Sequence, residues 1–203
     1  VWISETDHGI YDAMNKGFDM ATGDIVGYLN SDDFFKDAFV VEKIVKAFNV
    51  YKIDAVFGNV LYIKGFKNKV KRKYSGKNFH PGILHYGVMP PHPSFYAKRS
   101  CYLRYGLYNT NFYIAGDFEL LLRFFLKGNI SYKYLDIDMV VMRLGGVSTR
   151  NVFSILCENS AEILQACKIN DIYTNRLMIY SRFFLKVWGV LKWLFIPYYI
   201  SKR

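Results

Sequence analysis

The stretch Ile25-Val26-Gly27-Tyr28-Leu29-Asn30-Ser31-Asp32-Asp33 constrains the chain most, because an apolar run stops abruptly at a polar step and two adjacent carboxylates. A run of this length fits a short buried strand with packed material on both faces. Acids immediately after such a strand fall at its carboxyl end, where open α/β sheets place their ligands. Neighbouring carboxylates repel each other unless a cation or hydrogen-bond donors compensate. Hard oxygen ligands suit Mg2+ or Mn2+, particularly when the metal also carries phosphate oxygens. Asp32 and Asp33 are therefore a candidate metal–diphosphate pair. The plain alternative is that one of them caps a helix beginning near Phe34.

The surrounding pattern alternates. Apolar residues at Ile10, Ala13, Met14, Phe18 and Ala21 have helical spacing, and a second amphipathic helix is expected from Lys36 onward through Phe39, Val40, Ile44, Val45, Ala47 and Phe48. Residues 53–58 read as the next strand, and residues 130–135 and 139–143 as the last ones. Helix-then-strand repetition predicts an α/β domain with a mixed, mainly parallel sheet flanked by helices. Residues 60–77 are rich in Lys, Tyr and Gly. A hairpin with lysine-protected edges explains them, and a surface for an anionic acceptor or for phosphate headgroups is the functional alternative. Three prolines around His92 restrict the backbone and hold the imidazole in a defined place. Asp117 suits the N-cap of a helix whose apolar stripe is Phe118, Leu121, Leu122 and Phe125.

Composition narrows the partners. Lys and Arg number 27 against 17 Asp and Glu, a formal charge of +10, which favours nucleic acid, a nucleotide-sugar diphosphate or an anionic membrane. No nucleic-acid-binding motif is present, so nucleic acid is set aside. Three cysteines without metal-site spacing fit a reducing, cytosolic compartment, and no signal peptide is recognised.

Three segments, residues 4–17, 21–24 and 29–33, closely resemble family 2 glycosyltransferases of the GT-A fold. Further matches follow in the expected order at Pro91-His92-Pro93-Ser94-Phe95-Tyr96, at residues 116–123 and at Gly145-Gly146-Val147-Ser148. The resemblance implies an inverting transfer of sugar from a nucleotide-diphospho-sugar to an acceptor hydroxyl, in surface polysaccharide or glycan assembly. It implies donor contacts at Asp7, Asn15, Lys16 and Asp32, metal at Asp32 and Asp33, and Asp117 as catalytic base. Accessory positions would be His92, Glu119, Gly146 and Ser148. A solvated helix lysine, a turn aspartate and a bare helix cap are the structural alternatives for Lys16, Asp7 and Asp117. The resembled family has a βαβ region before the point where Val1-Trp2-Ile3 stands, so an incomplete GT-A domain over residues 1–150 is expected. A catalytically inactive remnant that binds a membrane or a partner is the competing function.

Residues 151–203 form a separate helical region in this reading. Arg182, Lys186 and Lys192 fall on one side of a helix whose other faces carry Phe183, Phe184, Trp188 and Leu191. That pattern fits an interfacial helix bringing the protein to the inner face of the cell membrane and a lipid-linked acceptor, or a helix packed on its own domain.

Overall fold

The computed structural model describes residues 2, 4–64, 69–143 and 152–183, the side chains of 152–157 excepted. Helix α1 (Ile10–Met20) buries Tyr11 and Phe18, two turns apart on one face, with Met14 packed between them. Ile10, counted among the expected apolar positions, is instead 53% exposed. Strand β1 (Ile25–Gly27) is shorter than the expected run and buries only Val26; residues 28–31 lead from it to the acid pair, and β2 (Phe34–Phe35) follows the pair directly. Phe34 and Phe35 pair with Val141 and Val140, so no helix begins at Phe34 for the acids to cap. Helix α2 (Val40–Tyr51) starts later and buries Val40, Ile44, Ala47 and Phe48, while Phe39 before it and Val45 on its outer side, both expected on the apolar face, are exposed.

Strand β3 (Ala55–Lys64) is central. It is paired with β4 (Lys69–Tyr74), β5 (Tyr96–Lys98) and β6 (Tyr132–Arg143), and the order through the sheet is β1-β5-β3-β6-β2. The sheet is mixed, as expected, but among the described residues only β3 and β6 are hydrogen-bonded in parallel. Two expected strands are one: β6 runs through residues 136–138, where the register against β3 shifts.

Alternate β3 residues serve different layers. Ala55 and Phe57 face a core shared with α1, with α3 (Arg99–Tyr105), with α4 (Gly116–Leu122) and with α5 (Val152–Ile169), whereas Val56 and Val60 face α2. Phe57, Phe79, Phe95, Phe124, Phe125 and Tyr132 pack with ring centroids 4.9 to 6.4 Å apart. Rings buried as fully as Phe57, Phe95, Phe124 and Phe125 stabilise the fold by about 1.5–3 kcal/mol each. Much of the high aromatic content is therefore core.

Helix α5 inserts Ile163, Ala166 and Cys167 into the same core as α4. Arg182 corrects the expectation of a solvent-facing basic side. It is 2% exposed and donates to Asn159 Oδ1 and Ser160 Oγ at 2.9 Å and to Gly87 O at 3.3 Å. Acceptors converging from two segments make a buried guanidinium tenable, and they seat this arginine inside the domain. Lys186, Lys192 and the rest of the proposed interfacial helix lie outside the described residues, as do Gly146 and Ser148. No described helix is long and apolar enough to cross a membrane.

Candidate active site

Asp117 sits where α1 meets the start of α4. The helix begins at Gly116 after Ala115, so Asp117 lies within the first turn instead of capping it. Its Oδ1 accepts from the Phe118 N–H at 2.7 Å and from the Tyr11 hydroxyl at 3.4 Å, while Oδ2 has no partner among the described residues. Tyr11 also donates to Ile114 O at 2.6 Å. Gly116 is required here, because a Cβ would stand 2.7 Å from the Tyr11 ring. The approach to the helix is held by a residue the sequence reading missed. The Glu162 carboxylate on α5 accepts from three consecutive backbone N–H groups, those of Tyr113 at 3.0 Å, Ile114 at 2.8 Å and Ala115 at 2.7 Å. Burial pushes the Asp117 carboxyl above the usual carboxylate range, and His92 in its protonated form, the Phe118 N–H and Tyr11 pull it back only in part.

An aromatic wall stands beside this acid. Tyr108 stacks on Tyr11 with centroids 5.6 Å apart, takes the Tyr28 ring edge at 5.4 Å, and places its hydroxyl 2.8 Å from His92 Nε2. Burial lowers the His92 pKa, so the ring is neutral near pH 7. Asn15 uses both polar atoms of its amide on the Tyr108 backbone, at 2.9 and 3.0 Å. In this arrangement it acts on the site by holding Tyr108. Glu119 is buried and turned to Arg123 at 2.8 Å and to Asn170 at 2.9 Å. Arg123 in turn donates to the carbonyls of Tyr105, Gly106 and Leu107, fixing the turn that delivers Tyr108. Glu119 therefore supports the wall from behind.

The acid pair is built differently. Asn30 donates to Asp33 Oδ2 at 3.0 Å and accepts from the Asp33 N–H at 3.1 Å, closing a tight turn. Asp33 is 7% exposed and its Oδ1 is buried without a hydrogen-bond partner, while Asp32 beside it is exposed. Burial raises the Asp33 carboxyl, Asn30 opposes this, and the Asp32 charge adds to it. An orphaned buried oxygen next to a free carboxylate fits a hard divalent cation, which would satisfy the one and neutralise the other. No cluster of three or more acid, His or Cys side chains gathers among the described residues, so the remaining coordination positions suit substrate oxygens or water.

Of the other expected donor residues, Asp7 lies on the approach to α1 and Lys16 within it. Asp7 Oδ1 accepts from the Gly9 N–H at 3.0 Å, a turn that starts the helix. Lys16 is paired with Glu5 at 3.0 Å and Asp12 at 3.3 Å and donates to Thr6 O, so a diphosphate contact would require these bonds to break. A groove of about 610 Å3 lined by Asp24, Val45, Lys98 and Leu103 contains none of the expected site residues. Tyr28, two residues before Asn30, touches Tyr108 and so joins the acid-pair segment to the wall beside Asp117. Tyr11 and Tyr108 escaped the sequence reading. The Tyr11 to Phe18 spacing was the available signal for the first, and none existed for the second.

Residues 2–125 match the family described as Glycosyl transferase family 2. A Mycobacterium tuberculosis protein named PGL/p-HBAD biosynthesis glycosyltransferase is 25% identical over 146 residues, 71% of this chain and 55% of its own length. An uncharacterized glycosyltransferase from the same species is 30% identical over 137 residues, 60% of this chain and 46% of its own length. The chain spans about half the length of these curated relatives. Among solved structures, the mannosyltransferase PcManGT from Pyrobaculum calidifontis in complex with GDP-Man and Mn2+ aligns with a TM-score of 0.51 at 17% identity, over 86% of this chain and 48% of that one. S. aureus TarS 1-349 in complex with UDP-GlcNAc gives 0.51 at 13% identity, over 80% and 49%. These likenesses carry the fold, which is that of GT-A glycosyltransferases. The family match takes in α1, the acid pair, His92 and Asp117, and this chain belongs to glycosyl transferase family 2.

Proposed function

We propose that the protein transfers a sugar from a nucleotide-diphospho-sugar to an acceptor hydroxyl with inversion at the anomeric carbon. One observation carries this reading: Asp117 is held through one carboxylate oxygen while the other has no partner among the described residues. Oδ2 is then available to take the proton of the acceptor hydroxyl as that oxygen attacks the face opposite the leaving diphosphate. A carboxyl raised by burial is a stronger base than a solvated one, provided it is ionised. Tyr11 and the Phe118 N–H orient it, and the wall of Tyr108 and neutral His92 excludes water on one side. Asp32 and Asp33 would hold Mg2+ or Mn2+, which offsets the charge building on the leaving diphosphate.

The titles of the solved neighbours, with UDP-GlcNAc in one and GDP-Man and Mn2+ in the other, support a nucleotide-sugar donor and a divalent cation here. The charge of +10 supports an acceptor carried on an anionic surface, as in assembly of a glycan or lipid-linked chain at the cytoplasmic face of a membrane. The test is Asp117→Asn, which keeps an acceptor for Phe118 and Tyr11. Donor affinity, titrated in the presence of Mn2+, should be retained while turnover falls by roughly 10²–10⁴. Turnover at the wild-type level would overturn the base assignment.

A further inference from the structure

The β3–β4 hairpin carries a cation that the reaction outlined above does not employ. Its register sets Tyr62 opposite Arg72 and Val60 opposite Tyr74, so Tyr62, Arg72 and Tyr74 share one face. The Arg72 guanidinium carbon lies 5.7 Å from the centre of the Tyr62 ring and 5.8 Å from that of Tyr74. Ring faces hold a guanidinium without using its in-plane N–H groups. Among the described residues those groups meet no acceptor and no carboxylate. Lys73, next to it in β4, is by contrast paired with Asp138 at 2.7 Å.

The location gives that free cation its meaning. Tyr74 donates its hydroxyl to Met89 O at 2.5 Å, which ties the hairpin to the segment running into His92. The Tyr74 hydroxyl is pushed up to about 12, chiefly by burial, with Asp117 adding to the shift and Arg72 opposing it. The Tyr62 hydroxyl is raised by burial, Arg72 opposing and Asp33 adding.

We propose that Arg72 is a phosphoryl-binding residue: its guanidinium, laid on Tyr62 and Tyr74 in the hairpin that Tyr74 ties to the segment running into His92, takes two oxygens of a substrate phosphoryl group through paired N–H bonds. This rests on the glycosyltransferase reading. The diphosphate of a donor and the phosphate of a lipid-linked acceptor present the same oxygens, and the experiment separates them. Wild type, Arg72→Gln and Arg72→Lys are titrated by calorimetry with inorganic pyrophosphate plus Mn2+ and, separately, with farnesyl phosphate. Arg72→Gln should weaken one of the two by about tenfold or more, and Arg72→Lys should recover only part, since an ammonium supplies charge but not the planar fork. Loss confined to pyrophosphate assigns Arg72 to the donor, and loss confined to farnesyl phosphate assigns it to the acceptor. Arg72 is exposed, so both variants should melt with the wild type. If Arg72→Gln melts early, the comparison rests on Arg72→Lys, which retains a cation over the rings. Both affinities unchanged in Arg72→Gln would overturn the proposal and leave the wider reading standing. Asp33→Asn, titrated alongside, judges that wider reading: wild-type binding of Mn2+ and pyrophosphate by this variant contradicts the metal site whatever Arg72 does. Wild-type protein that binds neither probe overturns both.

Discussion

Asp33 and Asp117 are both acids that burial pushes above the usual carboxylate range, yet their surroundings leave different work undone. Asp117 has an oxygen fixed by two donors and the other without a partner among the described residues, beside a neutral imidazole and a stacked pair of tyrosines. Asp33 has a buried oxygen with no donor and a second carboxylate next to it. The first arrangement is complete without an ion and is suited to exchanging a proton. The second is incomplete, and a divalent cation repairs it. Desolvation alone thus does not say what a buried acid does; the atoms facing each oxygen decide.

The comparison breaks most visibly at Asp33. Asp33→Asn should lower Mn2+-dependent binding of a nucleotide-sugar by about a hundredfold or more, since loss of a ligand exceeds the 10–100-fold typical of residues one shell further out. The same change should leave thermal stability level or higher, because it removes the repulsion with Asp32. Calorimetry and a melting curve measure the two sides, and an unchanged metal-dependent affinity would make the two acids alike.

Glu162 sharpens the Asp117 side. Glu162→Ala strips the acceptor from three backbone N–H groups, and urea unfolding should show a loss of about 1.5–3 kcal/mol, with turnover falling further than donor affinity. Glu162→Gln, which keeps an acceptor oxygen, should fall between. Equal stability in all three proteins would mean that the loop before α4 is held by other contacts.

A smaller effect is expected in pH dependence. A general base must be ionised, so the acidic limb of turnover should lie above the ordinary aspartate value of about 3.9. Tyr11→Phe removes a bond that lowers the Asp117 pKa and should move that limb further up. Stability follows the same group with a fixed sign. The folded carboxyl holds its proton more tightly than the unfolded one, so stability is greatest below the unfolded pKa and declines as pH rises through the raised folded value. Asp117→Asn should flatten that decline, and a titration of melting temperature above pH 4 checks it.

The smallest change is expected at Lys16. Lys16→Gln breaks two partly exposed ion pairs and should leave the melting temperature almost unchanged. Donor affinity should shift by less than about twofold; a larger loss would show that Lys16 leaves Glu5 and Asp12 for the diphosphate.

Local pattern alone carried a good part of this fold. Helical spacing placed α1 over residues 10–20 and the body of α2, and α5 was legible from its composition, because a helix shows its buried face within a few consecutive residues. The acid pair was legible for a related reason: the two acids are adjacent in the chain, so their mutual repulsion is local, although β1 ends at Gly27 and not at the acids. Neighbouring sequence could not reveal that Phe34 and Phe35 pair with β6, since their partners lie more than a hundred residues away. Nor could it reveal that Asp117 needs no cap of its own, because the donors of its approach are bound by Glu162 on α5. Arg182 read as a surface cation until acceptors from two other segments enclosed it. The identity of the candidate groups was written in the residues. Which oxygen is free, which cation lacks a partner and which amide holds a ring depend on contacts between distant segments, and only the folded arrangement of α1, α4, α5 and the β3–β4 hairpin decided them.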